Sequence, residues 1–414
     1  MKKIISLLLC TALLCGLAAG CSRERPEETE VMEVTETAAP TEWVLEDLPL
    51  KKYDGVTLVF RSSWAETSAE AEVLTQAAEV FEVQTGAAVD IQWSAEEDAS
   101  GDIVQIPGTR LAEYADNLLD LTELAEAAGY AGKSFDCLTD QVLSRCGFLA
   151  GIPQTPYVSG FYYNREAFAA SGIVQTPRTW SEFLEVCNGL TAAAWQPLTL
   201  NSESTDDLLL LHLTQYLGAE EARNVTANGG WEKNALALQA SADILQLVGA
   251  GYLVTGTPAA APAGQNKIGL SNGAIVYGTN AVCAQVEEAA LAELDWGMFP
   301  YPGIGGAEPV IAVDSDVLAI GADCSEPQAA FDFIMLLTTG EFDQLRADLT
   351  NGIPADPNNE SPVAGAAEAM QIAQVIEPAA VEFTEKQLET ILKLWEGKYQ
   401  ENVTFARAMD QLYS

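Results

Sequence analysis

Apolar positions recur in two alternating periods along this chain. After Gly55 the run 56–60 (Val-Thr-Leu-Val-Phe) predicts a short strand, and Val73, Leu74, Ala77, Val80 and Phe81 then share one face of a helix. Gly86 follows as a left-handed cap that stops the helix. Residues 88–93 predict a second strand and 102–106 a third, so the opening unit reads strand, helix, strand with a right-handed crossover. Alternation of this kind predicts an α/β fold on a mostly parallel, doubly wound sheet. Such sheets hold ligands beyond the C-terminal ends of their strands, which points to the loops at 61–67 and 107–110.

Later helices carry start signals. Thr179 with Glu182 forms a capping box ahead of Trp180, and Ser325 with Gln328 forms another with Pro327 in its first turn. Asn164 is placed to cap a helix that ends at Gly172. Residues 255–264 turn to Thr, Pro, Ala and Gly and predict an exposed loop. No internal repeat of solenoid period is present.

The N-terminus has a pattern of its own. Lys2 and Lys3 precede an apolar stretch over 4–17, followed by Ala18, Ala19, Gly20 and Cys21. This is a secretory signal, too short to span a bilayer. It also resembles a bacterial lipoprotein signal, in which the cysteine after the small residues becomes the lipidated N-terminus; Ala18 stands where leucine is commoner. On that resemblance residues 1–20 are a lipoprotein signal peptide, Cys21 is the lipidation site, and the mature chain is held at the extracellular face of the cell membrane. Residues 21–53 read as an acidic tether, because 22–47 are rich in Glu and Thr and lack apolar periodicity. As a flexible coil those residues would span about 28 Å.

Charge and cysteine usage narrow the chemistry. The 414 residues carry 20 Lys and Arg against 60 Asp and Glu, a net charge of −40. That field repels phosphate backbones, so no nucleic-acid partner is expected. The single imidazole, His212, lies in the apolar run 208–213, which leaves no material for His-based zinc sites or a Ser-His-Asp triad. Beyond Cys21, the cysteines at 137, 146, 187, 283 and 324 are odd in number and cannot complete a disulfide framework. Cys137 and Cys146 are close enough in sequence to close a short loop; buried reduced thiols are the other reading. The segment 303–306 (Gly-Ile-Gly-Gly) lacks the Lys-Ser/Thr of a P-loop, and no cofactor is expected.

Gly151-Ile-Pro153, Tyr157, Gly160, Tyr163-Asn164, Thr176-Pro177 and the run 179–183 (Thr-Trp-Ser-Glu-Phe) together resemble the extracellular solute-binding proteins of sugar ABC transporters, family 1. Further matching pieces are 81–86, 102–108, 117–121, 296–300 and 351–354, so the resemblance covers nearly all of 54–414. It implies a two-lobed periplasmic-binding-protein-like fold, each lobe a sheet flanked by helices, closing on a ligand. Carried onto this chain, lobe one is 54–157 plus 315–354 and lobe two is 158–314 plus 356–414. The crossings then fall near 156–160, 312–315 and 354–357. The resemblance also implies a monomer that delivers a sugar or oligosaccharide to the membrane subunits of an ABC permease.

A sugar offers apolar CH faces and a ring of hydroxyls, so its receptor needs aromatic platforms and side chains that exchange several hydrogen bonds. Trp64 follows the first strand, where the family often places a stacking aromatic, and Glu66 beside it can accept hydroxyl protons. Gln105 and Arg110 flank the turn after the third strand, and Tyr157 lies at the first crossing. Period-two alternation sends Tyr162 to the face opposite Phe161 and Tyr163. In the segment 272–280 the family commonly ends a buried strand and follows it with a stacking Trp; here Asn280 takes that position, and Tyr277 is the candidate substitute. Asp314 and Asp316 bracket a crossing and both could bind ligand hydroxyls; capping of loop backbone is the other reading, favoured for Asp316, so Asp314 is the candidate kept. Asn201 and Glu203 follow a strand over 197–200 and complete the set. Trp180 and Trp395 are expected to pack, while Trp231 is ambiguous.

Two other functions compete with a receptor. A surface glycoside hydrolase needs two carboxylates facing one bond, which the abundant acids do not exclude. A receptor for a cationic solute such as a polyamine fits the net charge.

Overall fold

The computed structural model describes residues 48–93, 100–201, 204–256, 273–279, 295–376 and 383–413. The expectations for Cys21, Glu203, Cys283 and Asn280 lie outside the described residues.

Among the described residues ten strands form the sheet: β1 (Thr57–Ser62), β2 (Ala88–Trp93), β3 (Ile103–Pro107), β4 (Ile152–Asn164), β5 (Gln196–Asn201), β6 (Leu253–Gly256), β7 (Gly273–Gly278), β8 (Trp296–Phe299), β9 (Val310–Ile320) and β10 (Gln374–Ile376). Their order is β2-β1-β3-β9-β4-β7-β5-β6, with β10 beside β9 and β8 beside β4. β1 pairs in parallel with β2 and β3, and β5 pairs in parallel with β6 and β7. The joints between these groups are antiparallel: β3 to β9, β9 to β4, and β4 to β7. The expected mostly parallel sheet is thus two parallel halves joined through two long antiparallel strands, whose length lets each take part in both halves.

β4 holds Pro153 and Pro156, which lack a donor for the ladder. They are tolerated because β4 has a strand partner on one side only there: β9 pairs with 152–159, and β7 begins at Gly160. A bulge between Pro153 and Thr155 leaves Gln154 unpaired in the register.

The helices close as their signals require. Helix Ala69–Thr85 starts at Ser68, whose side chain accepts from the Ala71 amide, and ends at Gly86 with φ 87°, where the Gly86 amide donates to the Glu82 carbonyl. Thr179 and Glu182 form the full capping box of helix Trp180–Ala192, and Asn164 caps helix Arg165–Ala170. Ser325 caps nothing: helix Pro327–Thr338 begins after Glu326 without a side-chain cap, relying on the preset φ of Pro327. Cys137 and Cys146 sit near opposite ends of one helix, Asp136–Cys146, so its length keeps their sulfurs apart and both are free thiols.

Folded sequence reaches back into the expected tether. Tyr53 is buried, stacks on Phe81 and donates its phenol hydrogen to Asp332 at 2.6 Å. One core surrounds Phe60, Phe81 and Phe333, which meet edge to face. A second lies among Phe161, Phe183, Leu209, Trp231, Ile244, Trp395 and Phe405. A third joins Phe135 and Leu138 to Val158, Tyr162, Val276, Val313, Ile353 and Val363, beneath the stretch where β4 and β9 run side by side. Phe161 and Tyr162 therefore enter different cores, as the strand period requires. Trp231 and Trp395 are core, and the Trp395 indole donates to the Thr205 carbonyl at 2.9 Å. Among the described residues no helix is long and apolar enough to cross a membrane.

Candidate functional site

The C-terminal ends of β1 and β3 meet the middle of β9 and β4, and four strands contribute polar groups there. Ser62 closes β1 and donates its hydroxyl to Oε1 of Gln105 at 3.0 Å; the Ser63 amide donates to the same oxygen at 3.1 Å. The Trp64 amide donates to the Ser62 hydroxyl at 3.2 Å, so the partly buried Trp64 is tied to the strand end it follows. On the other side, Gln105 donates from Nε2 to Oδ2 of Asp316 at 3.4 Å, and Tyr157 donates its phenol to that oxygen at 2.9 Å. The chain of contacts runs Trp64, Ser62, Gln105, Asp316, Tyr157.

Gln105 is only 4% exposed, and both its amide atoms are engaged within the protein. Glu66 is exposed, in the loop after β1. Arg110 lies beyond β3 and is held by Glu113 at 3.0 Å and the Tyr114 hydroxyl at 2.7 Å.

Asp314 is committed elsewhere. Arg145, from helix Asp136–Cys146, donates to Oδ1 of Asp314 at 2.7 Å, with both side chains largely covered. Asp316, expected as a loop cap, lies inside continuous strand and is 9% exposed. Its carboxyl is raised to about 6, first by burial and also by Asp314, against the opposing hydrogen bonds from Tyr157 and Gln105 and the charge of Arg346. The sequence signal for it is the polar run Asp314-Ser315-Asp316 inside an apolar strand. Burial and the neighbouring Asp316 together raise the Tyr157 phenol, so it stays a donor.

In the other half of the sheet, Asn201 closes β5 opposite Gly256. Asp206 and Asp207 open helix Thr205–Leu217 beyond that end. Asp207 is solvent-accessible yet hemmed in by surrounding protein, and its carboxyl is pushed up to about 6, first by desolvation and then by Asp206. Tyr277 is buried: it is 3% exposed, packs edge-on against Phe161 at 5.7 Å, and shares a hydrogen bond with Ser159. Its position on β7, buried on both faces, sends the ring into the core.

His212 is fully buried. Nε2 donates to the Ala240 carbonyl at 3.1 Å and Nδ1 accepts from the Tyr301 hydroxyl, which fixes a neutral tautomer. Trp180 packs on the imidazole at 4.9 Å between ring centres, the packing role expected for it.

The sheet is two parallel halves joined by long shared strands, with a hydrogen-bonded polar group at the strand ends of one half. The sequence profile of the bacterial extracellular solute-binding proteins matches residues 68–341. The chain belongs to that family. No curated protein sequence matches it. Among solved structures, the sugar-binding protein MalE from Xanthomonas citri is 16% identical with a TM-score of 0.66, covering 86% of this chain and 96% of that one. A chitin oligosaccharide binding protein is 20% identical with a TM-score of 0.58, covering 86% and 98%. The cyclic alpha-maltosyl-1,6-maltose binding protein from Arthrobacter globiformis is 16% identical with a TM-score of 0.61, again covering 86% and 98%. At these identities the likeness establishes the periplasmic-binding-protein-like fold, and the family is one of binding proteins.

Proposed function

We propose that this solute-binding protein is a non-catalytic receptor for a sugar or oligosaccharide, held between two lobes and handed to an ABC permease. The observation that carries the reading is the constellation at the ends of β1 and β3: the partly buried Trp64 follows β1, and Gln105, Asp316 and Tyr157 form a hydrogen-bonded polar group linked to the same strand end through Ser62. An aromatic face with adjacent directional polar groups is what a pyranose needs. The sugar and oligosaccharide ligands in the names of its structural relatives support the same class.

Lobe one is 54–157 with 315–354, and lobe two is 158–314 with 356–414. Both early boundaries fall within β4 and β9, the strands shared by the two halves. Ligand would favour closure because it contacts both lobes. Cys21 carries the lipid that keeps the receptor at the cell surface near its permease.

Calorimetric titration of the purified protein with galactose, maltose, maltotriose and chitobiose tests the reading. Saturable heat with at least one saccharide, and no product on prolonged incubation, is the expected result. Turnover, or heat with spermidine and with none of the sugars, contradicts it.

A further inference from the structure

Two aspartates two residues apart on β9 have opposite situations. Asp314 gives Oδ1 to Arg145 in an ion pair, and a Cβ on Gly108 would lie 2.4 Å from that oxygen, so the turn after β3 packs directly against the pair. Asp316 has no cationic partner at hydrogen-bond distance among the described residues. Its Oδ2 is saturated by donors from β3 and β4, while Oδ1 accepts no hydrogen bond from the described residues and keeps access to solvent. A buried carboxylate is normally paired; one held by two neutral donors with one oxygen left open is poised for a further donor.

We propose that Asp316, rather than Asp314, is the carboxylate that accepts a hydroxyl of the ligand, through Oδ1, with Gln105 and Tyr157 as its positioning residues. The inference rests on the saccharide reading above and adds a residue that selects for a donor at one ring position. The geometry is over-determined: Ser62 and the Ser63 amide fix the Gln105 amide, Gln105 and Tyr157 fix the carboxylate plane, and Ser62 also holds the Trp64 amide. The acceptor and the backbone that carries Trp64 are therefore tied to one strand end by hydrogen bonds before any ligand arrives.

Binding should then be proton-linked. The charged and titratable groups acting on Asp316 are Tyr157 on β4, Asp314 on β9 with its Arg145 partner, and Arg346 from helix Gly340–Thr350, itself bound to Asp343; Glu70, in the first turn of helix Ala69–Thr85, acts on Tyr157. β3 contributes Gln105, which does not titrate. Only the ionised carboxylate offers acceptors alone, so affinity falls as pH drops through the value near 6 set by these surroundings.

The test uses Asp316→Asn, Gln105→Leu and Tyr157→Phe in the full-length protein, titrated from pH 4.5 to 8 with whichever of galactose, maltose, maltotriose or chitobiose the native protein binds. Expected for Asp316→Asn are a tenfold or greater loss of affinity, a flat pH profile, and an unchanged or higher ligand-free melting temperature at pH 7.5, since it removes a desolvated charge. Gln105→Leu and Tyr157→Phe should weaken binding and move the pH midpoint upward, because each loses a donor that favours the ionised form. Affinity within twofold of native with the native pH profile overturns the inference. So does loss of binding with a lowered melting temperature in Asp316→Asn and an unmoved midpoint in the other two, which assigns a structural role. Absence of binding to any of the four sugars by the native protein strikes the underlying reading instead.

Discussion

Gly108 and Asp314 are in such close approach that no side chain fits between them: a Cβ at 108 would stand 2.4 Å from Oδ1 of Asp314, 2.6 Å from the Arg145 guanidinium and 2.7 Å from the Ser315 carbonyl. The last contact is backbone, so a flexible side chain cannot simply move aside. Gly108→Ala should therefore loosen the Arg145–Asp314 pair and destabilise the fold by about 1–3 kcal/mol. Urea denaturation measures this, and an unchanged midpoint would show that β9 can yield here.

Asp343 holds the chain segment after helix Gly340–Thr350. Its carboxylate accepts from Arg346 at 2.7 Å, from the Ala355 and Asp356 amides at 3.1 and 3.0 Å, and from Asn359 at 3.0 Å. Asp343→Ala would strand a buried guanidinium and two amides at once, with an expected loss of about 3–5 kcal/mol. Paired chemical-denaturation curves at pH 7 check it.

His212 links stability to pH. Burial lowers its pKa to about 3 in the folded protein, against an ordinary histidine value of 6.5. Between those values the unfolded chain binds a proton that the native state excludes, so the stability contributed at neutral pH is lost as pH falls below 6.5, by about 1.4 kcal/mol per unit. Asp316, raised to about 6 from 3.8, works in the opposite direction over 6 to 3.8, where the native state binds the extra proton. The difference between native protein and His212→Gln isolates the imidazole: the native advantage should shrink steadily from pH 7 to pH 4, as read by thermal melts at each pH.

Trp64 and Tyr277 look alike as candidate platforms in the sequence, and the structure separates them. Trp64→Ala should weaken saccharide binding at least tenfold with little change in melting temperature. Tyr277→Ala should cost about 3–5 kcal/mol of stability, because it empties a site packed against Phe161. Calorimetry beside thermal denaturation on both variants distinguishes the roles.

Much of this is legible in the residues. β2 has the predicted bounds, Gly86 caps as its type requires, and Thr179 and Asn164 start their helices. Local chemistry decides such features, so local sequence displays them. The long antiparallel strands are not legible, since Pro153 and Pro156 argue against a strand unless one knows that β4 lacks a second neighbour there. Asp314 and Asp316 look alike in sequence; their fates diverge because Arg145 and Gln105 arrive from distant elements. The burial of Tyr277 is not legible either, because burial on both faces of β7 depends on its partners β4 and β5.

Small-angle X-ray scattering of the protein with and without a saturating saccharide tests the central claim most directly. If two lobes close on the ligand, the radius of gyration contracts when the sugar is added. Identical scattering curves at sugar concentrations that saturate the calorimetric signal would contradict a receptor that closes on its ligand.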